Sequence, residues 1–192
     1  MAQMGQMVMG LVDIYMVGRV SAESIGHVSL ATSLFFISMM GIGILSSQDH
    51  FISYALGEKN RAQGAHWRTQ GLYLSVFLGI VGMGGIQVLS SNLSLFSVPE
   101  ATARAAHEFL QVYYLSLIPF LAFISIRSHL QSSGFSKHLT WIVILANLLN
   151  ILLNWVFIEG HWGFPAGGVK GSAYATVVVR VLMTLAVLYL SF

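Results

Sequence analysis

Met9-Gly10-Leu11-Val12-Asp13-Ile14-Tyr15-Met16-Val17-Gly18 sets a single acid inside a run that carries no other charge from Met1 to Gly18. An apolar run of this length is a helix that crosses or nearly crosses a bilayer. An ionisable side chain inside such a helix costs roughly 2.5–3.5 kcal/mol on insertion scales, so it faces a wet cavity or a partner. Asp13 is therefore the first candidate for function. The bland alternative is a structural acid satisfied by Ser, Thr or Asn on a neighbouring helix.

The rest of the chain agrees with a lipid environment. Of 192 residues, 56% are hydrophobic and only 8% charged, against about 25% charged in soluble domains. Mean hydropathy is +0.75. Backbone groups in lipid must bond within their own segment, so the spans are helices. No dyad alternation of the kind a transmembrane β-barrel needs is visible. A net charge of +2 is too small to point to nucleic acid. With no Cys, disulfide frameworks, thiolate metal sites and thiol nucleophiles drop out. Met1 runs straight into apolar sequence without a basic n-region, so no cleavable signal is expected.

Six apolar stretches are expected as helices, at about 1–17, 25–56, 64–89, 99–131, 139–158 and 172–192. The first only just spans a bilayer core at ~1.5 Å per residue, so its start is read as clipped. In the third, Gly79, Gly82, Gly84 and Gly85 offer close approach to a neighbour. Before the fourth, Ser97 suits a cap, with Pro99 and Glu100 in the first turn, and Pro119 is expected to kink the helix. Lys59, Arg61, Arg68, Arg127 and Lys137 lie towards the 2–3 and 4–5 loops, against Arg19, Arg104 and Lys170 opposite. The Lys/Arg excess marks the first set as cytoplasmic.

Asn147, Asn150 and Asn154 fall within about 60° of one another around the fifth helix. Their carboxamide oxygens suit Na⁺ or an ordered water, although interhelical glue explains such residues too. Gln48, Asp49 and His50 sit near the inner end of the second helix, where Asp49 is a candidate pathway residue and simple interfacial solvation the alternative. Arg127 and Arg180 are long enough to snorkel to an interface. Arg180, nine residues into the last helix, is deep for that and is a second candidate pathway residue. No HExxH, GxSxG or Walker pattern occurs, so neither an enzyme nor a nucleotide-driven pump is expected.

Three blocks resemble the multidrug and toxin extrusion (MATE) family, in its NorM-like branch. They are Met9–Asp13 with Met16-Val17-Gly18, then Asn150-Ile151-Leu152-Leu153-Asn154-Trp155-Val156-Phe157-Ile158 with Gly160-His161, and Gly168-Val169-Lys170-Gly171-Ser172-Ala173-Tyr174-Ala175-Thr176. The resemblance implies an all-α integral membrane fold, a six-transmembrane-helix bundle matching the N-terminal lobe of a twelve-helix transporter, over residues 1–192. It implies secondary antiport, the export of organic cations or drugs against Na⁺ or H⁺. The cation site it implies maps onto Asp13, Asn150, Asn154 and Thr176, to which the polar stripe adds Asn147.

The expected partners are small organic cations, the lipid bilayer of the inner (plasma) membrane, and a missing C-terminal lobe or a second copy in a homodimer. No nucleic acid, resident cofactor or metal is expected beyond the coupling Na⁺ or H⁺ at those four residues. Two rivals remain. A lipid-linked sugar flippase of the same superfamily would want cationic residues lining its cavity. A truncated membrane subunit would pack without transporting.

Overall fold

A computed structural model describes residues 2–36, 39–93 and 98–191. These residues are helical throughout their regular structure: α1 (Ala2–Gly18), α2 (Ala22–Phe36), α3 (Met39–Ser46), α4 (Gln48–Gly57), α5 (Arg61–Ser91), α6 (Glu100–Tyr113), α7 (Leu117–Ser132), α8 (Ser136–Glu159) and α9 (Gly168–Ser191). A 3-10 turn, Tyr114–Ser116, joins α6 to α7. Among the described residues four helical segments are long and apolar enough to cross a membrane: Arg61–Ser91, Glu100–Ser132, Ser136–Glu159 and Gly168–Ser191, with Gly5–Gly18 shorter. The apolar stretch 25–56 is not a single helix: it breaks at Ser47, between α3 and α4, and residues 37 and 38 lie outside the described residues. At the α3–α4 break the chain tightens: Ser47 N and the Ser47 hydroxyl both donate to the Ile44 carbonyl, at 3.3 and 2.7 Å.

The helix ends follow capping chemistry. The Ser21 hydroxyl accepts from Ser24 N at 3.1 Å and opens α2. Asn60 accepts from Gln63 N at 3.1 Å while its amide donates to Gln63 Oε1, a reciprocal cap on α5. Pro99 stands one place before α6 instead of inside its first turn, and the expected cap Ser97 lies outside the described residues. Gly160, at φ +78°, ends α8 in the left-handed region that glycine adopts without penalty.

The fourth expected span is broken where Pro119 predicts trouble, but a little earlier. Pro119 has no N–H to offer the Leu115 carbonyl one turn back. The chain tightens into the 3-10 turn at Tyr114–Ser116 just before it. On α5 the small residues Gly64, Gly71, Ser75 and Gly79 are buried on one stripe. Gly79 and Gly82 meet Ile118 and Leu117 of α7. Gly84 and Gly85, expected to serve the same contact, face open space.

α7 is the central helix. Phe120 through Ser128 are buried in sequence order, because α5, α4, α3 and α9 all pack around it. The core joins Phe109, Leu117, Phe123, Ile126 and Leu130 to Val17, Val28 and Val179. By contrast α1 exposes Met7, Leu11 and Tyr15, and α8 exposes Trp141, Leu145 and Leu148. Exposed apolar faces of this extent need lipid or protein as their solvent.

Candidate functional site

Asp13 lies in the last third of α1, where α1 packs against α8 and α9. Its carboxylate is only 5% exposed. Asn154 Nδ2 donates to Asp13 Oδ1 at 2.7 Å. The Thr176 hydroxyl donates to Asp13 Oδ2 at 2.8 Å. Asn154 Nδ2 also reaches Asn150 Oδ1 at 3.3 Å. Asn150 and Asn154 are fully buried, one turn apart on α8, which puts both amides on the face turned towards α1. Three helices therefore meet at one carboxylate.

The cluster keeps polar atoms in reserve. Asn154 Oδ1, Asn150 Nδ2 and Ser172 Oγ are buried without a hydrogen-bond partner. Buried polar groups are nearly always paired, so each such atom calls for an explanation. Asn154 Oδ1 and Ser172 Oγ, with both Asp13 oxygens and Thr176 Oγ1, are hard oxygen donors of the kind that suits an alkali cation or an exchanging proton, while Asn150 Nδ2 is a spare hydrogen-bond donor. Ser172 was missed in the sequence reading. Its position one turn before Thr176, on the same face of α9, is the signal that finds it.

Asn147 does not join this cluster. Its Nδ2 donates to the Val143 carbonyl of its own helix at 2.8 Å. Asp49 stands elsewhere, on α4, lining a pocket of about 350 Å³ with Ser53, Ser128, Gln131 and Ser132. Arg127 does not snorkel. It is 8% exposed, its Nε is buried without a hydrogen-bond partner, and α7 packs on α4, which carries Asp49.

Arg180 does not snorkel either, and is 7% exposed. Its guanidinium donates to Ser116 Oγ at 2.6 Å and to the Tyr113 hydroxyl at 3.1 Å. The rings of Phe35, Tyr113 and Phe120 lie at 5.0, 5.0 and 4.5 Å from it. Such ring faces stabilise a cation electrostatically. The α6–α7 break is what turns Tyr113, Ser116 and Phe120 towards one point.

Thr176→Val keeps the shape of the side chain but removes the donor to Asp13 Oδ2. Interhelical hydrogen bonds in membranes average about 0.6 kcal/mol, whereas bonds to charged groups reach about 1.5–3 kcal/mol. Burial and a carboxylate acceptor favour the larger figure, so a loss of about 2 kcal/mol is expected. Thermal unfolding in detergent checks it: Thr176→Val should melt clearly lower, and Thr176→Ser close to the parent.

The MatE family pattern matches residues 1–156. A probable multidrug resistance protein NorM of Synechocystis sp. is 31% identical over 97% of this chain and 41% of its own length. The multidrug resistance protein NorM of Vibrio parahaemolyticus is 30% identical over 95% of this chain and 40% of its own. The chain thus spans about two-fifths of the length of these relatives. An inward-facing structure of a multidrug resistance MATE family transporter superposes with a TM-score of 0.84, 21% identity, over 97% of this chain and 42% of the other. An outward-facing structure of such a transporter gives 0.83 at 22% identity, over 100% and 42%. At these identities the structural likeness bears on the fold alone. With a family match over most of its length and several apolar helices, this chain is a multi-pass membrane protein and belongs to the MatE family of multidrug efflux transporters, as an N-terminal lobe of the NorM-like type.

Proposed function

We propose that this chain is the cation-coupling lobe of a secondary antiporter that exports organic cations in exchange for Na⁺ or H⁺ across the inner membrane. The observation that carries the reading is the Asp13 carboxylate, buried where α1, α8 and α9 meet and surrounded by unpaired polar atoms. A cation or proton arriving there replaces the hydrogen bonds from Asn154 and Thr176, or redirects them, and so changes how α1 sits on α8. Because the site has different ligands available with and without the ion, the ion has a differential affinity for two packings. Only such a difference shifts a conformational equilibrium. In the cycle we propose, ion binding lowers the affinity for an organic cation in the cavity and the drug leaves outward. Asn147 acts at most as a neighbour of the site, and Asp49 as a polar lining towards the inner end.

The caged position of Arg180 speaks against a flippase. A lipid-linked sugar carries an anionic headgroup, and this guanidinium is turned into a box of rings instead of an open cavity. A complementing C-terminal lobe or a second copy of this chain would supply the rest of the cavity. The test is dye efflux from drug-sensitive cells expressing this chain alone and fused to a NorM C-terminal lobe. Efflux that collapses when an ionophore dissipates the ion gradient supports the reading. Efflux indifferent to the gradient, from a well-expressed protein, sinks it.

A further inference from the structure

The Arg180 cage holds a charge that nothing beside it cancels. Arginine stays protonated in proteins. Its partners here are a hydroxyl, a phenol and three ring faces, all neutral. Among the described residues no carboxylate lies within ion-pair distance of it. Its Nε is buried without a hydrogen-bond partner. Yet it stands close to Asp13, because Arg180 follows Thr176, the donor to Asp13 Oδ2, by four residues on α9 and shares its face. Where α1, α8 and α9 meet, the described residues therefore set one buried positive charge near one buried acid without a direct ion pair between them.

This arrangement has a consequence for any cation that binds Asp13. A buried carboxylate with amide and hydroxyl ligands, and nothing opposing it, would hold a cation tightly and release it slowly. A permanent charge one turn along α9 repels the incoming ion without ever occupying its place. We infer that Arg180 is a positioning residue that acts through Asp13: a caged counter-charge that keeps the site's hold on a monovalent cation weak enough for release. The inference rests on the proposed coupling role of Asp13. The three rings, Ser116 and Tyr113 serve to keep the guanidinium from swinging into a direct ion pair, which would close the site to any other cation.

At an effective dielectric constant of about 20, a like charge a helical turn or two away weakens cation binding by roughly tenfold or more. The experiment is equilibrium binding of radioactive sodium to the purified chain in nanodiscs, at alkaline pH so that protons do not compete. The proteins compared are the parent, Asp13→Asn, Arg180→Gln and Arg180→Lys. The expected result is roughly tenfold tighter sodium binding in Arg180→Gln, parent-like binding in Arg180→Lys, and none in Asp13→Asn. The sign separates this from a packing role. If Arg180 only pins the α6–α7 break, Arg180→Gln binds sodium as the parent does or more weakly, and that overturns the inference while leaving the Asp13 site intact. Should neither the parent nor Arg180→Gln bind sodium in an Asp13-dependent way, the coupling reading itself fails for sodium and the inference falls with it. A variant that does not run as a single species on gel filtration is replaced by Arg180→Met, which is apolar and fits the ring box.

Discussion

Asp13→Asn reduces ion-driven export to background while the protein still inserts and folds. The substitution is nearly isosteric. The new amide oxygen accepts from Thr176 as Oδ2 did. The new amide nitrogen faces Asn154 Nδ2, a donor against a donor. Asn154 and Asn150 resolve this by rotating both amides, because Asn154 Oδ1 and Asn150 Nδ2 have no competing partner and the bond between them re-forms in the opposite sense. The packing cost is therefore small, about 1 kcal/mol or less on the scale of a neutral hydrogen bond. What is lost is the negative charge, and with it the only acid among the described residues that α1, α8 and α9 share. The measurement is dye efflux under an imposed Na⁺ or pH gradient in the complete transporter, with thermal unfolding as a control. Efflux that remains gradient-driven in Asp13→Asn would remove Asp13 from the coupling mechanism. Lost efflux together with a collapsed melting temperature would instead mean a structural acid, the bland alternative weighed above.

The polar cluster around Asp13 was legible because its residues have few other places to go. A carboxylate in an apolar helix needs donors, and two amides four residues apart on another apolar helix need acceptors. Helical periodicity then brings Asn150 and Asn154 onto one face. Asn147 shares that stripe and was grouped with them, but an amide has a local option that a carboxylate lacks: it bonds to the carbonyl four residues back. Arg127 was assigned to the interface by a rule about isolated helices, and in the bundle it is buried instead. Arg180 was read as too deep to snorkel, and the rings that surround it are far away in sequence, so no local pattern announces them. Pro119 announced the break at Tyr114–Ser116 through its missing N–H. The break at Ser47 was hidden, because hydropathy averages over such local interruptions.

The start of α9 shows the same limit and leads to the sharpest steric expectation. The run of glycines before Ser172 reads as loop, since glycine costs a helix about 1 kcal/mol relative to alanine. The structure starts the helix at Gly168, because the first turn of α9 must lie directly on the end of α8. Gly167 N donates to the Phe157 carbonyl at 2.8 Å, and Gly171 sits against the same peptide. A Cβ at Gly171 would stand 2.5 Å from Phe157 C and 2.8 Å from Ile158 N. These are backbone atoms of a helix and cannot swing aside as a side-chain tip can. Gly171→Ala should therefore cost about 3 kcal/mol or more, at or beyond the upper end of overpacking effects, although helix propensity alone predicts a gain. Gly84→Ala is the matched control. It lies mid-helix in α5 with no atom within 4 Å of the added methyl, and should be neutral or stabilising by up to about 1 kcal/mol. Fluorescence-detected gel filtration after graded heating reads both. The α8–α9 junction also sets the spacing between Asn154 and Thr176, so Gly171→Ala should lose cation binding along with stability. A melting curve for Gly171→Ala matching that of Gly84→Ala would mean that the α8–α9 contact is looser than drawn, and that the geometry around Asp13 is not fixed by it.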